Sequence, residues 1–142
     1  MSENRIESRQ KTLVEDFSMF DDWMERYGLI IDMGKDLKAL PEADHTEDNI
    51  IKGCQSKVWL TASKSSDGHV HFLADSDAII TKGLVSMMIQ VLSDASPEEI
   101  LNADLSFIKE IGLQEHLSPT RSNGLAAMVK QMKMYALALS TA

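Results

Sequence analysis

The chain has 142 residues, of which 44% are apolar and 25% charged, so one globular domain over residues 1–142 is expected. Its net charge of −8 at pH 7 argues against a nucleic-acid partner, because binding a phosphate backbone needs clustered lysine and arginine. No apolar run reaches membrane-spanning length and no secretory h-region is seen at the N-terminus, so we expect no membrane partner. The single cysteine cannot form an internal disulfide, so we expect a reducing, cytoplasmic location.

The first forty residues predict two helices. Apolar residues recur at helical spacing from residue 6 to residue 20, and a second stripe starts at Trp23. Asp21 or Asp22 is placed to cap the second helix, and Pro41 to end it. The residues expected to face the core are Ile6, Leu13, Val14, Phe17, Phe20, Trp23, Tyr27, Ile30, Ile31 and Leu37. The segment "PEADHTEDN" then predicts an acidic loop in which His45 is solvated.

A β-hairpin is predicted in the middle of the chain. The run "SKVWLTAS" alternates Val58, Leu60 and Ala62 with Trp59 and Thr61, and "HVHFLA" alternates in the same way after a turn at Asp67-Gly68. One face is expected to carry Val58, Leu60, Ala62, Val70, Phe72 and Ala74. His69 and His71 share the other face. Two imidazoles could begin a metal site, but zinc needs three or four ligands, so a solvated face or a partner contact is favoured.

Helices return after the hairpin. Asp75 or Ser76 is predicted to cap a buried helix that runs through "DAIITKGLVSMMIQVLSD". The stretch "SPEEI" predicts a capping box with Pro97 at the first helical position, and a short helix or turn should stop near Gly112. A last helix opens near "SPTRSNG", with a buried stripe of Leu125, Met128, Val129, Met132, Ala136 and Leu139. The fold class is therefore α+β, with a small antiparallel sheet packed by helices.

The single cysteine lies in an unusual position. Cys54 follows Gly53 and stands between Lys52 and Lys57, in a short polar break before a strand. A lone cysteine is most often a small buried hydrophobe. Gly53 allows a sharp or mobile loop tip, however, and nearby ammonium groups favour the nucleophilic thiolate. One cysteine excludes an internal disulfide, a Cys-based structural zinc and a cluster scaffold, so we predict no resident metal.

Three stretches together resemble the SufE family, the sulfur-acceptor proteins of iron–sulfur cluster assembly: "GCQSKVW", "DSDAIITKGL" and "LSPTRSNGLAAM". The resemblance extends from about Trp23 to the C-terminus, and the first twenty or so residues match poorly. It implies a SufE/IscU-like fold. It also implies a PLP-dependent cysteine desulfurase of the SufS type as partner, with PLP bound to that partner and no cofactor on this chain.

The resemblance also assigns roles to residues. Cys54 would take the terminal sulfur of the desulfurase persulfide and pass it to the SufBCD scaffold. Gln55 and Ser56 belong to the acceptor loop, hinged at Gly53, and Asp77 and Arg121 fall in the motifs that support that loop or bind the partner. The chain would be a sulfur carrier that activates a desulfurase, not a stand-alone enzyme. We expect at most a weak homodimer.

Three alternatives remain open from the sequence. A CsdE-type acceptor would serve another desulfurase with the same chemistry. A small hydrolase with a cysteine nucleophile would need a base, normally a histidine, and an oxyanion donor near Cys54. A pure adaptor would use Cys54 only as a packing residue.

Overall fold

The computed structural model describes residues 5–38, 40–53 and 56–140, and within them it shows seven α-helices and two β-strands. The elements follow in the order α1 (Arg5–Ser18), α2 (Trp23–Lys35), β1 (Val58–Lys64), β2 (Val70–Ser76), α3 (Ile79–Leu92), α4 (Pro97–Leu101), α5 (Phe107–Ile111), α6 (Leu113–His116) and α7 (Pro119–Ser140). Two short 3-10 turns, Glu42–Asp44 and Glu47–Asn49, lie between α2 and β1. The predicted α+β class, with a small antiparallel sheet packed by helices, is confirmed.

The hairpin forms as its alternation predicts. β1 and β2 pair antiparallel with Val58 opposite Ser76 and Lys64 opposite Val70. Val58, Leu60, Val70, Phe72 and Ala74 are buried on the face that meets the helices, whereas the residues between them are partly exposed. Gly68 has φ 85 in the turn, which explains the preference for glycine at this position.

α3 is the central helix, and most of its side chains are buried on all sides, as predicted. It crosses α2 with backbone in contact with backbone: a Cβ added at Gly83 would lie 2.1 Å from the carbonyl oxygen of Ile30. Two buried glycines, Gly34 and Gly83, make this close approach possible. Gly34 is buried in this contact, whereas Ile31, which was predicted to face the core, is only partly buried.

The helix ends follow local capping rules with two corrections. Asp22 caps α2, and Ser96 with Glu99 forms the predicted capping box at α4. α2 ends at Lys35, well before Pro41. Asp75 and Ser76 do not cap α3; they are the last residues of β2, because their pairing with Trp59 and Val58 extends the strand. The N-cap of α3 is Ala78, which offers no side-chain hydrogen bond.

α7 begins at Pro119 in the predicted motif and buries Leu125, Met128, Met132 and Ala136 of the predicted stripe. It runs beside β1: the Tyr135 hydroxyl lies 3.5 Å from the carbonyl oxygen of Leu60. Among the described residues, every helix is too short or too polar to span a lipid bilayer. This arrangement places the start of β1, the start of α3 and the start of α7 at one end of the molecule.

Candidate functional site

The site is built around the cysteine loop, which we define as residues 52–56. Two of its predicted members, Cys54 and Gln55, lie outside the described residues, so its geometry is given by the residues on either side. We call residues 41–51 the upstream arm and Lys57 with the start of β1 the downstream arm. These arms fix where the loop leaves and rejoins the fold.

The downstream arm is held through the backbone of Lys57. Its N–H donates to Asp77 Oδ1 at 3.0 Å, and its carbonyl oxygen accepts from the Asp77 N–H at 3.2 Å. The same carbonyl oxygen also accepts from the Ser76 hydroxyl at 2.8 Å. Three hydrogen bonds therefore join the first residue after the loop to the end of β2.

Asp77 thus binds the backbone beside the loop, although it lies elsewhere than predicted. It precedes α3 and is not in the first helical turn, because the sheet register continues through Ser76 and the helix starts at Ile79. Ser76 contributes one of the three hydrogen bonds to Lys57, and it was not a predicted site residue. Its hydroxyl also accepts a hydrogen bond from the Ala78 N–H at 3.2 Å. The interpretation of "DSDA" as a helix cap did not predict these contacts.

The upstream arm reaches the loop through Ile51 and Gly53. Ile51 is buried, and its N–H donates to the carbonyl oxygen of Val58 at 2.8 Å. Gly53 has φ 99, and a Cβ at this position would lie 3.2 Å from the Cβ of Ala127 on α7. The backbone conformation and the narrow gap both favour glycine, so Gly53 is a constrained turn position immediately before Cys54.

An open cavity of about 740 Å³ lies beside the loop, between the start of α3 and the start of α7. Three predicted site residues line it: Ser56, Asp77 and Arg121. The buried side chains of Leu84 and Met128 provide apolar surface in its wall. The fold therefore brings residues from three distant motifs to one cavity, with apolar surface and an arginine together.

Arg121 lies in the first turn of α7, and its side chain is exposed. Its N–H donates to the Ser118 hydroxyl at 3.3 Å, as expected of a serine that caps a helix. In the part of the chain that the structure describes, its guanidinium has no carboxylate partner. Ile79, at the rim of the same cavity, is 67% exposed despite its apolar side chain. A cation and an apolar residue therefore face solvent together at the cavity mouth.

Three of the four histidines are paired with carboxylates, and the fourth, His116, packs against the Trp23 ring at 4.1 Å between centroids. His69 Nδ1 lies 3.4 Å from Asp67 Oδ2, and His71 Nδ1 lies 2.8 Å from Asp94 Oδ1. The described residues contain no group of three or more His, Cys, Asp or Glu side chains placed to hold a metal ion.

His45 differs from its prediction: its ring is about three-quarters buried and bonds Asp75, 30 residues away in sequence. No local pattern signals that contact.

Comparison with known proteins decides the family. The SufE family model, described as an Fe-S metabolism associated domain, matches residues 11–136. The chain belongs to the SufE family. This membership confirms the resemblance carried by the three motifs and associates the chain with iron–sulfur metabolism. The match also includes part of α1, where the sequence resemblance was poor.

Two individual proteins illustrate the relationship. An uncharacterized SufE-like protein of Rhizobium meliloti (strain 1021) is 38% identical over 125 residues, covering 85% of this chain and 89% of that protein. The solution structure of a hypothetical protein from Thermus thermophilus superposes with a TM-score of 0.77 at 20% identity. That alignment covers 94% of this chain and 97% of the other, so the two share a fold over nearly their whole length.

Proposed function

We propose that this chain is a sulfur carrier that accepts the terminal sulfur of a cysteine desulfurase persulfide on Cys54. The partner would be a PLP-dependent enzyme of the SufS type, and the SufBCD scaffold would receive the sulfur in a cytoplasmic pathway of cluster assembly. The observation that carries the proposal is the position of the only cysteine. In a chain of the SufE family, Cys54 is joined on one side to a constrained glycine and on the other to an anchored strand beside a cavity.

The transfer is a thiol–disulfide exchange. The Cys54 thiolate attacks the outer sulfur of the enzyme persulfide, a new S–S bond forms on Cys54, and the enzyme thiolate leaves as the old S–S bond breaks. One bond forms and one breaks, so the step needs no external oxidant or reductant. No resident cofactor on this chain enters the step.

The cavity suits the two states that a carrier needs. At rest, the loop would place the sulfur against the apolar wall at Leu84 and Met128, where burial disfavours the thiolate and protects a persulfide from stray thiols. For transfer, the loop must extend into the active site of the partner, and Gly53 gives the upstream side of the loop its turning point. The persulfide would thus be formed outside the cavity and kept inside it.

Arg121 and Ile79 would meet the desulfurase. An exposed apolar side chain next to a guanidinium that has no carboxylate partner among the described residues is a suitable contact for a protein surface. We expect Arg121→Ala to weaken binding of the desulfurase in a titration, with Arg121→Lys restoring only part of the affinity because it loses bidentate geometry. Equal affinity of wild type and Arg121→Ala would remove Arg121 from the interface.

The decisive experiment is Cys54→Ser. Serine is nearly isosteric, so the fold should survive, and stimulation of the cognate desulfurase in the presence of reductant should disappear. Incubation of wild type with desulfurase, PLP and L-cysteine should add one sulfur, a mass gain of about 32 Da, to Cys54 by a single exchange step. Because the chain has one cysteine, wild type alkylated with iodoacetamide is a matched control that is blocked at one thiol. Full stimulation by the serine variant would refute the proposal.

This experiment also tests the alternatives. A pure adaptor would stimulate the desulfurase without Cys54. A hydrolase would need an imidazole near the thiol, and no histidine is among the described residues that line the cavity. A CsdE-type acceptor would pass the same test with a different desulfurase, so parallel assays with SufS-type and CsdA-type enzymes identify the cognate partner.

A further inference from the structure

The ring of His45 contacts two oxygen atoms that can only accept hydrogen bonds. Its Nε2 lies 2.8 Å from Asp75 Oδ2, and its Nδ1 lies 3.2 Å from the carbonyl oxygen of Pro41. An ionised carboxylate and a backbone carbonyl have no proton to give. Both contacts are hydrogen bonds at once only when both ring nitrogens donate, which the protonated imidazolium alone can do.

The surroundings of the ring favour this charged form. Asp75 Oδ1, the oxygen that does not bond His45, accepts from the Ser76 N–H at 2.8 Å and lies 3.3 Å from Lys82 Nζ, so the carboxylate is held ionised and in place. The hydrogen bond to Asp75 raises the pKa of His45 above its ordinary value, although partial burial opposes this. Trp59 packs edge-on against the ring at 4.8 Å between centroids and fixes its plane. Asp75 and Lys82 are the charged side chains that face the ring or its partner from β2 and α3.

The contact of His45 with Asp75 affects the position of the upstream arm, because most hydrogen bonds of this arm are made within the arm itself. Its two 3-10 turns are closed by local hydrogen bonds, such as Asn49 Nδ2 to the carbonyl oxygen of Asp44 at 2.8 Å. Among the described residues from 41 to 48, His45 is the one whose side chain reaches the sheet with a hydrogen bond. The next tie to the sheet is the bridge between Ile50 and Trp59, beside which the N–H of Ile51, three residues before Cys54, donates to the carbonyl oxygen of Val58.

We propose that His45 is a positioning residue that clips the upstream arm of the cysteine loop to β2 when protonated and loosens it when neutral. A neutral ring has one N–H and must give up either Asp75 or Pro41. The clip itself is a property of residues 41–51 and Asp75. Its effect on sulfur transfer rests on the proposed function of Cys54, since the arm leads directly to that residue.

The sign of the pH dependence follows from the two partners. Because the folded-state pKa of His45 is raised, the clip is complete below the ordinary pKa of histidine and is lost as pH rises through the folded value. Burial disfavours the ionised form of Asp75, but the bonds from His45, Ser76 and Lys82 outweigh it and lower its pKa, so the carboxylate is lost only as pH falls through that lowered value. The clip is therefore strongest between about pH 4 and about pH 6.5.

The first test is an NMR titration of the histidine rings in wild type and in Asp75→Asn. We expect both ring nitrogens of His45 to be protonated at about pH 5.5, and the pKa of His45 to fall when Asp75 loses its charge. An unchanged pKa in Asp75→Asn, or a His45 ring with one proton at that pH, would overturn the proposal. The wild-type spectrum alone can decide the second point, whatever the variant does to folding.

The second test measures the reactivity of Cys54. We divide the alkylation rate of Cys54 by its thiolate fraction, which is read from ultraviolet absorbance. This corrected rate should rise about threefold to tenfold as pH increases through the titration of His45, because one modest hydrogen bond is lost. His45→Gln cannot titrate and should remove this step. His71→Gln is the matched control, because His71 has the same 2.8 Å bond to an aspartate but a single acceptor to satisfy, and it should keep the step.

A step that persists in His45→Gln would exclude His45 as its cause. Neither measurement uses a desulfurase. If Cys54→Ser still activated the enzyme, the proposed function would fail while these titrations could still show the clip. If the titrations failed, sulfur transfer by Cys54 would be unaffected.

Discussion

The two arms of the cysteine loop are built differently. The downstream arm joins a strand at once, and three hydrogen bonds tie the backbone of Lys57 to Ser76 and Asp77. The upstream arm passes through two short turns, and the side chain of His45 and the N–H of Ile51 connect it to the sheet. The loop therefore has one fixed end and one end that local changes can release.

This asymmetry indicates how a short loop could move without disturbing the fold. A carrier loop must extend toward its partner and return to its resting position. If the loop rotates about one end, the other end must keep its hydrogen bonds to the sheet. Gly53, with φ 99, is the turn position at the upstream end of the loop. Motion of Cys54 should therefore be centred on Gly53 and the upstream arm, with Lys57 as the fixed point.

The largest effect is expected from breaking the fixed end. Asp77→Ala removes the acceptor for the Lys57 N–H, so the downstream arm should open more often, by a factor of about ten for a lost hydrogen bond to a charged group. The iodoacetamide labelling rate of Cys54 should rise accordingly. Asp77→Asn keeps an oxygen at the same position and is the control, with labelling close to wild type. If the alanine variant labelled no faster than wild type, the downstream arm would not be what holds the loop at rest.

Sequence patterns predicted the parts of this site that depend on local chemistry. The hairpin, the capping box at Ser96 and the start of α7 each follow from residues within a few positions of one another. The glycine at position 53 was also recognised as a turn, because positive φ is a property of one residue. These features are determined before tertiary structure is considered.

The missed features depend on pairing between distant segments. Ser76 and Asp77 resemble a helix start because small polar and acidic residues precede an apolar run. They instead complete a strand and the turn after it, because their partner is the segment after Cys54. The bond from His45 to Asp75 joins an irregular loop to a strand end, and no periodicity connects the two. Such contacts are set by sheet register and cannot be read from either segment alone.

A smaller effect is expected at the hinge itself. Gly53→Ala should destabilise the fold by about 1–2 kcal/mol, because a side chain at positive φ is strained. It should also slow sulfur transfer, since the added Cβ meets Ala127. Gly68→Ala is the matched control: its φ is 85 and open space surrounds the site, so a similar loss of stability in urea unfolding should leave Cys54 reactivity unchanged. Equal effects of the two variants on labelling would show that Gly53 acts through global stability alone.

The smallest effect is expected on α3, beside the contact of the upstream arm with Asp75, in Lys82→Met. Lys82 Nζ lies 3.3 Å from Asp75 Oδ1, and its side chain is 38% exposed, so the ion pair should contribute less than about 1 kcal/mol and weaken with salt. Lys82 and His45 attract the same carboxylate. Without Lys82, the pKa of Asp75 should rise slightly, and His45, relieved of a neighbouring cation, should hold its proton to a slightly higher pH.

The measurement is the His45 titration by NMR at low and high salt. A His45 pKa that fell in Lys82→Met would mean that Lys82 orients Asp75 for the clip, and the upstream arm would then depend on a triad instead of a pair.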